Sequence, residues 1–381
     1  MKNLKVRLST PTVNNLELKE IKKIFNNSWL GYGPQVGKFE KAWCNFFNVK
    51  YSIGVNSCTA ALHLSLAVNK FKKNKKVLVP AMTFSASAAS VLYCGLKPIF
   101  VDVDPKTLVM SVEDLKKKYT KDCVAVIAVH FNGQPCEMEK IVPWAKKKNL
   151  KVIEDCAQTC GGNYKGKKLG TWGDFGCFSF QEIKIMTSGG DGGMITTNHQ
   201  KFVKDLKTLS YHGWDQDPLV RHKKSLQGNK SKHWNYSITK LGFKYNMTDL
   251  MATIGLIQLK KLNYFNFRRT QIIKDYLKSL KNCKNLSPAF PYKFNNSSYW
   301  MFTLRCKKRD ELIDYLKSKK IATTVYIKPL PLHPLYRKYK SNIKNSLKIW
   351  KELLTVPTYP NMTKLQFNYV IKHIKEFDKK F

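Results

Sequence analysis

The stretch "CFSFQEIKIMTSGGDGGMITTN", residues 177–198, decides how this chain is read. A short apolar run leads to Lys184, which is set among Phe178, Phe180, Ile183, Ile185 and Met186. Gly189, Gly190, Gly192 and Gly193 follow before the apolar character returns. The pattern predicts two strands joined by a tight turn, in which glycine lets the backbone bend and approach a neighbour where a side chain would not fit. The lysine has two readings. It snorkels to water like the others in a lysine-rich chain, or it is partly desolvated, so that its neutral amine is available to attack a carbonyl.

Outward from that stretch, residues 55 to 200 alternate short apolar runs with amphipathic ones, the pattern of a parallel sheet covered by helices. The strand candidates are "KVLVPA", "KPIFVDVD", "CVAVIAVHF", "LKVIEDCA", "GCFSF" and "GGMITTN". Between them, "TAALHLSLAVNKF", "SASAASVLYCG", "SVEDLKKKYT" and "MEKIVPWAKKKN" have helical spacing. The expected fold class is α/β: a large doubly wound, mostly parallel sheet domain over residues 1–260, then a small α+β domain over 261–381. Within the first, 208–240 loses periodicity and reads as a long ordered loop of polar and aromatic residues, a kind of segment that is usually functional. The stretch from "MTDLMATIGLIQLKKL" onward reads as one bent helix or two.

The 381 residues carry a formal net charge of +41, which invites a nucleic-acid reading. Two observations oppose it. Only seven of the 67 basic residues are arginines, the type favoured for bidentate phosphate and base contacts. The lysines are also scattered, with no single basic arm, so the expectation is a lysine-biased solvated surface and no nucleic-acid partner. Ten cysteines without a CxxC pair read as reduced thiols, most of them small buried hydrophobes, and no metal site is expected. The opening residues contain no signal-like apolar run and no later run reaches membrane length, so the expected location is the cytoplasm, without a membrane partner.

Three features bear on chemistry. In "NSCTAALHLSLAV", Ser57, Cys58 and Thr59 sit where a strand end passes into a helix, a place that favours an anion; a hydroxyl cap serves the helix equally well with no ligand. In "LKVIEDCAQ", Asp155 stands just past the carboxyl end of a strand, the edge where open α/β sheets bind ligands, with Gln158 three residues on. An aspartate there needs a cationic or proton-donating partner, or it caps the next segment. Lys184 is the third. An aldehyde cofactor with a phosphate tail and a protonatable ring nitrogen needs an amine, an anion cradle and a facing carboxylate together, and pyridoxal phosphate (PLP) is such a molecule.

At this level the chain resembles the DegT/StrS family of PLP-dependent nucleotide-sugar aminotransferases, which share the fold type I aminotransferase architecture. The resemblance runs through "SWLGYGPQVGKFEKAW", "NSCTAALHLSLA", "VLVPAMTFSASAASVLYCGLKPIFVDVDP", "HFNGQP", "VIEDCAQTCGGNYKGKKLGTWGDFGCFSF", "KIMTSGGDGG", "GFKYNMTDLMATIGLIQLKKL" and "VYIKPLPLHPLY". It implies that Lys184 is the Schiff-base lysine and the proton carrier between cofactor and substrate carbons. It further implies that Asp155 pairs with the ring nitrogen, that Ser57, Cys58, Thr59 and Ser179 hold the phosphate, that Phe84 stacks on the ring and that Gln158 approaches its hydroxyl side. Asn246 resembles the residue that reaches a neighbouring subunit's phosphate, which implies a homodimer with shared sites. Cys58 departs from the family's usual glycine, and "GGDGG" from its GEGG form.

The resemblance also implies transfer of an amino group from glutamate to a nucleotide-linked 4-keto-6-deoxy or related sugar, as in polysaccharide or lipopolysaccharide biosynthesis. Tyr211, His212, Trp214, Arg221 and Trp234 are candidates to hold the nucleotide, and Tyr326, Lys328 and His333 to close the sugar end; ordinary loop packing accounts for them equally well. A family branch with dehydratase activity has histidine at the lysine position, and Lys184 speaks against it. The remaining alternatives are transfer at a 3-keto position or to a non-nucleotide cyclitol, and a non-catalytic PLP-binding regulator.

Overall fold

The structure is a computed structural model that describes residues 5–26, 29–226, 234–295 and 298–380. Two helices, α1 (Asn15–Asn26) and α2 (Pro34–Phe47), precede the first strand. The central sheet has seven strands: β1 (Tyr51–Val55), β2 (Lys76–Pro80), β3 (Lys97–Val101), β4 (Cys123–Val129), β5 (Lys151–Asp155), β8 (Phe175–Ser179) and β9 (Gly193–Thr197). Their spatial order is β1-β9-β8-β5-β4-β2-β3. The strands from β3 to β8 are parallel, while β9 runs antiparallel to both β8 and β1. A two-stranded ribbon, β6 (Asn163–Tyr164) and β7 (Lys167–Lys168), lies between β5 and β8 in the chain. All six strands expected from the sequence are present, and the sheet is of the mostly parallel α/β kind.

The crossovers of the parallel part are α3 (Cys58–Ala67), α4 (Ser85–Tyr93), α5 (Val112–Lys118) and α6 (Met138–Lys147), and α7 (Gln200–Ser210) follows β9. Strand residues alternate between two cores, as the pleat requires. Val77, Val79, Ala125 and Ile127 face one that includes α3, while Leu78, Val126 and Ala128 face the other. Helix α3 is buried nearly all round, from Cys58 through Leu66, which its apolar sequence permits.

Two expectations are corrected. The segment 208–240 is not simply a loop: α8 (Pro218–Ser225) lies within it, capped by Asp217, whose carboxylate accepts from the N–H groups of Leu219 and Val220 at 2.7 and 3.2 Å. An aspartate followed by proline at the first helical position is a helix-start signal, obscured here by its polar surroundings. Residues 227–233 of that segment lie outside the described residues. Strand β1 was not anticipated, although "YSIGV" alternates apolar residues at 51, 53 and 55 with Ser52 and Gly54 in the period-two pattern of a strand.

Helix α9 (Asp249–Ser279) is one uninterrupted helix of 31 residues, started by Thr248, whose hydroxyl accepts from the Met251 N–H at 3.3 Å. It runs straight through the expected division at 260/261. Beyond it lie β10 (Leu286–Pro288), β11 (Phe302–Cys306), α10 (Arg309–Ser318), α11 (Lys344–Ile349), β12 (Leu353–Val356) and α12 (Lys364–Lys380), with β11 central in an antiparallel three-stranded sheet. Phe302, Leu304 and Val356 share a core with Leu78, Val126 and Val152 of the large sheet, with Tyr276 of α9 in the same cluster. Among the described residues no helix is long and apolar enough to cross a membrane.

Candidate active site

Asp155 ends β5, paired in register with Val129 of β4 and Cys177 of β8, so its carboxylate emerges at the carboxyl edge of the parallel strands. It is 3% exposed. Burial raises its pKa, and the hydrogen bonds that oppose this are specific: Ser87 of α4 donates to Oδ2 at 2.7 Å and the Ala157 N–H to Oδ1 at 3.0 Å. The Ser87 hydroxyl is itself tied to Thr83 at 2.7 Å. A carboxylate held on both oxygens in this way keeps one orientation, which a ligand-facing charge requires.

Lys184 lies in the turn between β8 and β9, where its N–H donates to the Gln181 carbonyl at 2.8 Å. The Gln181 side chain accepts from the Ile183 N–H at 3.1 Å, and Thr187 donates its hydroxyl to the Phe180 carbonyl at 3.1 Å, so the turn is closed upon itself. The amine sits 3.7 Å from the centre of the Trp300 ring and 5.9 Å from that of Tyr326. Burial lowers its pKa to about 8, with Asp155 acting in the opposite direction. The desolvated-amine reading of the sequence is thus the one that the geometry favours over snorkelling.

Both groups open onto one cavity of about 390 Å³. Its walls bring together Ser57, Cys58, Thr59, Phe84, Asp155, Gln158, Ser179, Lys184 and Tyr326 from the sequence expectations. At one end stands the start of α3, where Ser57 accepts from the Ala60 N–H at 3.1 Å and the first-turn N–H groups lack intrahelical acceptors. The Gly193 backbone presses on that start: a Cβ at this position would stand 2.5 Å from the Ser57 carbonyl carbon and 2.8 Å from the Cys58 nitrogen. Gly192, at φ +155°, would bring a Cβ to 2.0 Å from the Ser188 hydroxyl. Phe84, 55% exposed, offers an aromatic surface at the wall. Gln158 accepts from the Asn132 N–H at 2.6 Å, which fixes its amide. Cys58 is buried with its thiol pKa raised by burial, so it contributes its backbone and bulk rather than a thiolate.

The donor set fits PLP on chemical grounds: helix N–H groups and hydroxyls for a dianionic phosphate, an oriented buried carboxylate for a ring nitrogen, and a neutralisable amine for an aldehyde. Volume alone would not select this cavity. A larger one of about 580 Å³, between Gln134, Tyr164 and Tyr299, has at its rim Lys165, which is exposed and paired with Glu139 at 2.9 Å, and no buried amine facing a buried carboxylate.

Other expected residues lie elsewhere in the single chain. Tyr211 and Trp214 border a separate cavity of about 250 Å³ with Tyr32 and Asp217. Arg221 stacks over the Trp214 and Tyr236 rings at 4.7 and 4.0 Å. His212 and Trp234 are exposed, as is Lys328, and His333 precedes a short turn of helix. Asn246 is buried beside Val55, its amide donating to the Met247 carbonyl at 3.0 Å, and does not line the lysine's cavity.

The structure adds residues that the sequence did not single out. Trp300, Gln181 and Asp191 line the cavity. Behind it, Glu154 is fully buried and accepts from His130 at 3.1 Å and from the N–H groups of Gly170, Trp172 and Gly173, and the buried Cys156 side chain lies beside the pair. The Cys136 N–H donates to the other His130 ring nitrogen at 3.2 Å, which assigns the proton to Nε2.

Known proteins of similar sequence and structure agree with this chemistry. The chain is 34% identical over 372 residues to GDP-perosamine synthase of Escherichia coli O157:H7, with 96% of this chain and 97% of that one covered. It is 32% identical over 382 residues to the spore coat polysaccharide biosynthesis protein SpsC of Bacillus subtilis, covering 97% and 96%. The structure superposes on the PLP form of Spr1654 from Streptococcus pneumoniae with a TM-score of 0.88 at 25% identity, covering 98% of both chains. Residues 11–375 match the DegT/DnrJ/EryC1/StrS aminotransferase family, and the chain belongs to it as a PLP-dependent sugar aminotransferase of fold type I.

Proposed function

We propose that the enzyme transfers an amino group from glutamate to the keto group of a nucleotide-linked sugar of the 4-keto-6-deoxy type. The observation that carries this reading is the enclosed Lys184 amine sharing one cavity with the oriented Asp155 carboxylate and the start of α3. The nucleotide-linked substrate is supported by the GDP-perosamine synthases of Escherichia coli and of Caulobacter vibrioides, the latter 31% identical over 375 residues. The product would serve polysaccharide or lipopolysaccharide assembly, in line with the name of the Bacillus subtilis relative.

In this reading Ser57, Thr59, Ser179 and the Cys58 N–H hold the phosphate, Phe84 packs on the ring and Gln158 orients its hydroxyl side. When bound, PLP supplies an aldehyde for the amine and a ring that accepts carbanion charge. The chain's own residues do the rest. Lys184 would hold the aldehyde through its amine and would move a proton at Nζ, for which a pKa of about 8 is suited. Asp155, fixed by Ser87 and Ala157, holds a proton on the facing nitrogen. Trp300 and Tyr326 keep water from the amine.

We further propose a cytoplasmic homodimer. Ten free cysteines suit a reducing compartment. Asn246, Tyr211, Trp214 and Arg221 lie outside the lysine's cavity, so their cofactor and nucleotide roles require a second subunit. The test is turnover of nucleotide-linked keto sugars with glutamate, with the aminated product assigned by mass and NMR. A dependence on glutamate with formation of a 4-amino sugar is the expected result; no turnover across guanosine, thymidine and uridine diphosphate sugars would sink the reading.

A further inference from the structure

The peptide that carries Lys184 is gripped from outside its own turn. Three consecutive carbonyls, those of Ile183, Lys184 and Ile185, each accept from a side chain of the C-terminal part. Trp300 donates its indole N–H to Ile183 at 2.6 Å, and the Arg269 guanidinium donates to Lys184 and Ile185, each at 3.3 Å. Arg269 is unusual in itself. It is 2% exposed, and among the described residues no carboxylate lies within 4 Å of it and its Nε has no acceptor. Burial lowers its pKa to about 9. An arginine buried without a counter-charge is costly, and its acceptors among the described residues are the carbonyl dipoles of the lysine's own turn.

We propose that Arg269 and Trp300 form a clamp that positions the Lys184 amine, Arg269 by fixing the two carbonyls at and after the lysine and Trp300 by fixing the one before it. Trp300 also covers the amine with its ring, so a single side chain sets both the backbone and the face of the amine. The two residues come from different elements. Arg269 lies on α9, which also packs on α1 and α2, and Trp300 lies just before β11 of the small sheet. The lysine's position is thereby tied to the seating of the C-terminal part on the large sheet. Both residues are positioning residues; neither is asked to exchange a proton with substrate.

This inference rests on Lys184 being the cofactor-linking amine, and the test separates the two. Holoenzyme is prepared as wild type, Arg269→Met, Arg269→Lys and Trp300→Phe; the last keeps a ring over the amine and loses the N–H to Ile183. For each, the visible absorbance of lysine-linked cofactor is titrated with pH, the single-turnover rate with glutamate is measured, and Tm is recorded. The expected result is a titration midpoint moved by at least half a pH unit in Arg269→Met and Trp300→Phe. Single-turnover rates should fall about tenfold to a hundredfold with cofactor still bound, and Arg269→Lys should recover part of the loss by reaching one carbonyl. Variants with a lowered Tm but unmoved midpoint and rates within twofold overturn the clamp while leaving Lys184 in its role. Should Arg269→Met not fold, Arg269→Lys and Trp300→Phe decide by the same criteria. A wild-type holoenzyme with no lysine-linked absorbance overturns the reading of Lys184, and the clamp with it.

Discussion

The cavity of Lys184 and the aromatic cluster around Trp214 are made in opposite ways. In the first, each charge is buried and held by named hydrogen-bond partners: Asp155 by the donors Ser87 and Ala157, the Lys184 peptide by the Gln181 carbonyl, which accepts from its N–H, and by the donors Arg269 and Trp300. In the second, Arg221, Trp214, Tyr236 and Tyr211 lean on one another through ring contacts at 4.0 to 5.1 Å, in a segment of short helix and irregular chain near the surface. Sheet edges hold a reacting group still, and packed loops offer area and adaptable polar contacts to a larger ligand. The proposed function divides labour accordingly, assigning chemistry to the first region and substrate choice to the second.

The strongest attempt to break that division is Lys184→Ala beside Trp214→Ala. Lys184→Ala should lower transfer by at least about 10⁴-fold, because a covalent role leaves no substitute in the cavity. It should also abolish the visible absorbance of lysine-linked cofactor, with far-UV circular dichroism unchanged. Trp214→Ala should leave that absorbance intact. A Trp214→Ala enzyme with the absorbance gone would show that the second region also holds the cofactor, and the division would fail.

Asp155→Ala comes next, with an expected loss of about 10³-fold in transfer and cofactor still linked to Lys184, the scale of removing one oriented electrostatic partner in a dry site. Ser87→Ala should reproduce a small part of it, because it frees only one carboxylate oxygen. Equal losses in the two variants would mean that orientation, not charge, is what Asp155 supplies.

The apoprotein offers a test without catalysis. The folded amine has a pKa of about 8, below its ordinary value of 10.5, so the unfolded chain binds the extra proton between those values. The sign is therefore unlike that of a salt-bridged lysine: the buried charge costs stability below pH 8, and the cost fades as pH rises from 8 to 10.5. Lys184→Met should then stabilise the apoprotein at pH 7 by about 1 to 3 kcal/mol, an advantage that shrinks toward zero near pH 10.5. Paired denaturant melts at pH 7 and pH 10 read it, since the other lysines cancel in the difference. An advantage that grows with pH would show that the amine is not desolvated.

How much of this was legible follows the same division. Six strands and Lys184 could be read because alternation and a glycine turn are local signals, and Asp155 because a strand's carboxyl end is a place as well as a residue. Strand β1 alternates Tyr51, Ile53 and Val55 with Ser52 and Gly54 but is only five residues long, too short to stand out, and Asp217 and Pro218 announced α8 only weakly amid polar neighbours. Ser87, Arg269 and Trp300 carry no local mark at all. They matter through contacts spanning 68, 85 and 117 residues, which only the folded chain brings about. Tyr211 and Arg221 both contact Trp214, yet nothing in the sequence told that they stand apart from the lysine's cavity within one chain.

The smallest expected effect sharpens the division from the other side. Arg221 is held by the faces of Trp214 and Tyr236, so its planar cation is preset rather than mobile. Arg221→Lys keeps the charge and loses the stacked plane, worth about 0.5 to 1 kcal/mol at a partly exposed site. If the second region recognises substrate, the KM for the nucleotide-linked sugar should rise roughly twofold to fivefold by that energy, with kcat and the KM for glutamate unchanged. Arg221→Ala should raise it further, about tenfold, and more steeply at low salt, where a phosphate contact is least screened. A fall in kcat at constant KM would instead place Arg221 with the reacting groups, and the two regions would then differ in construction without differing in role.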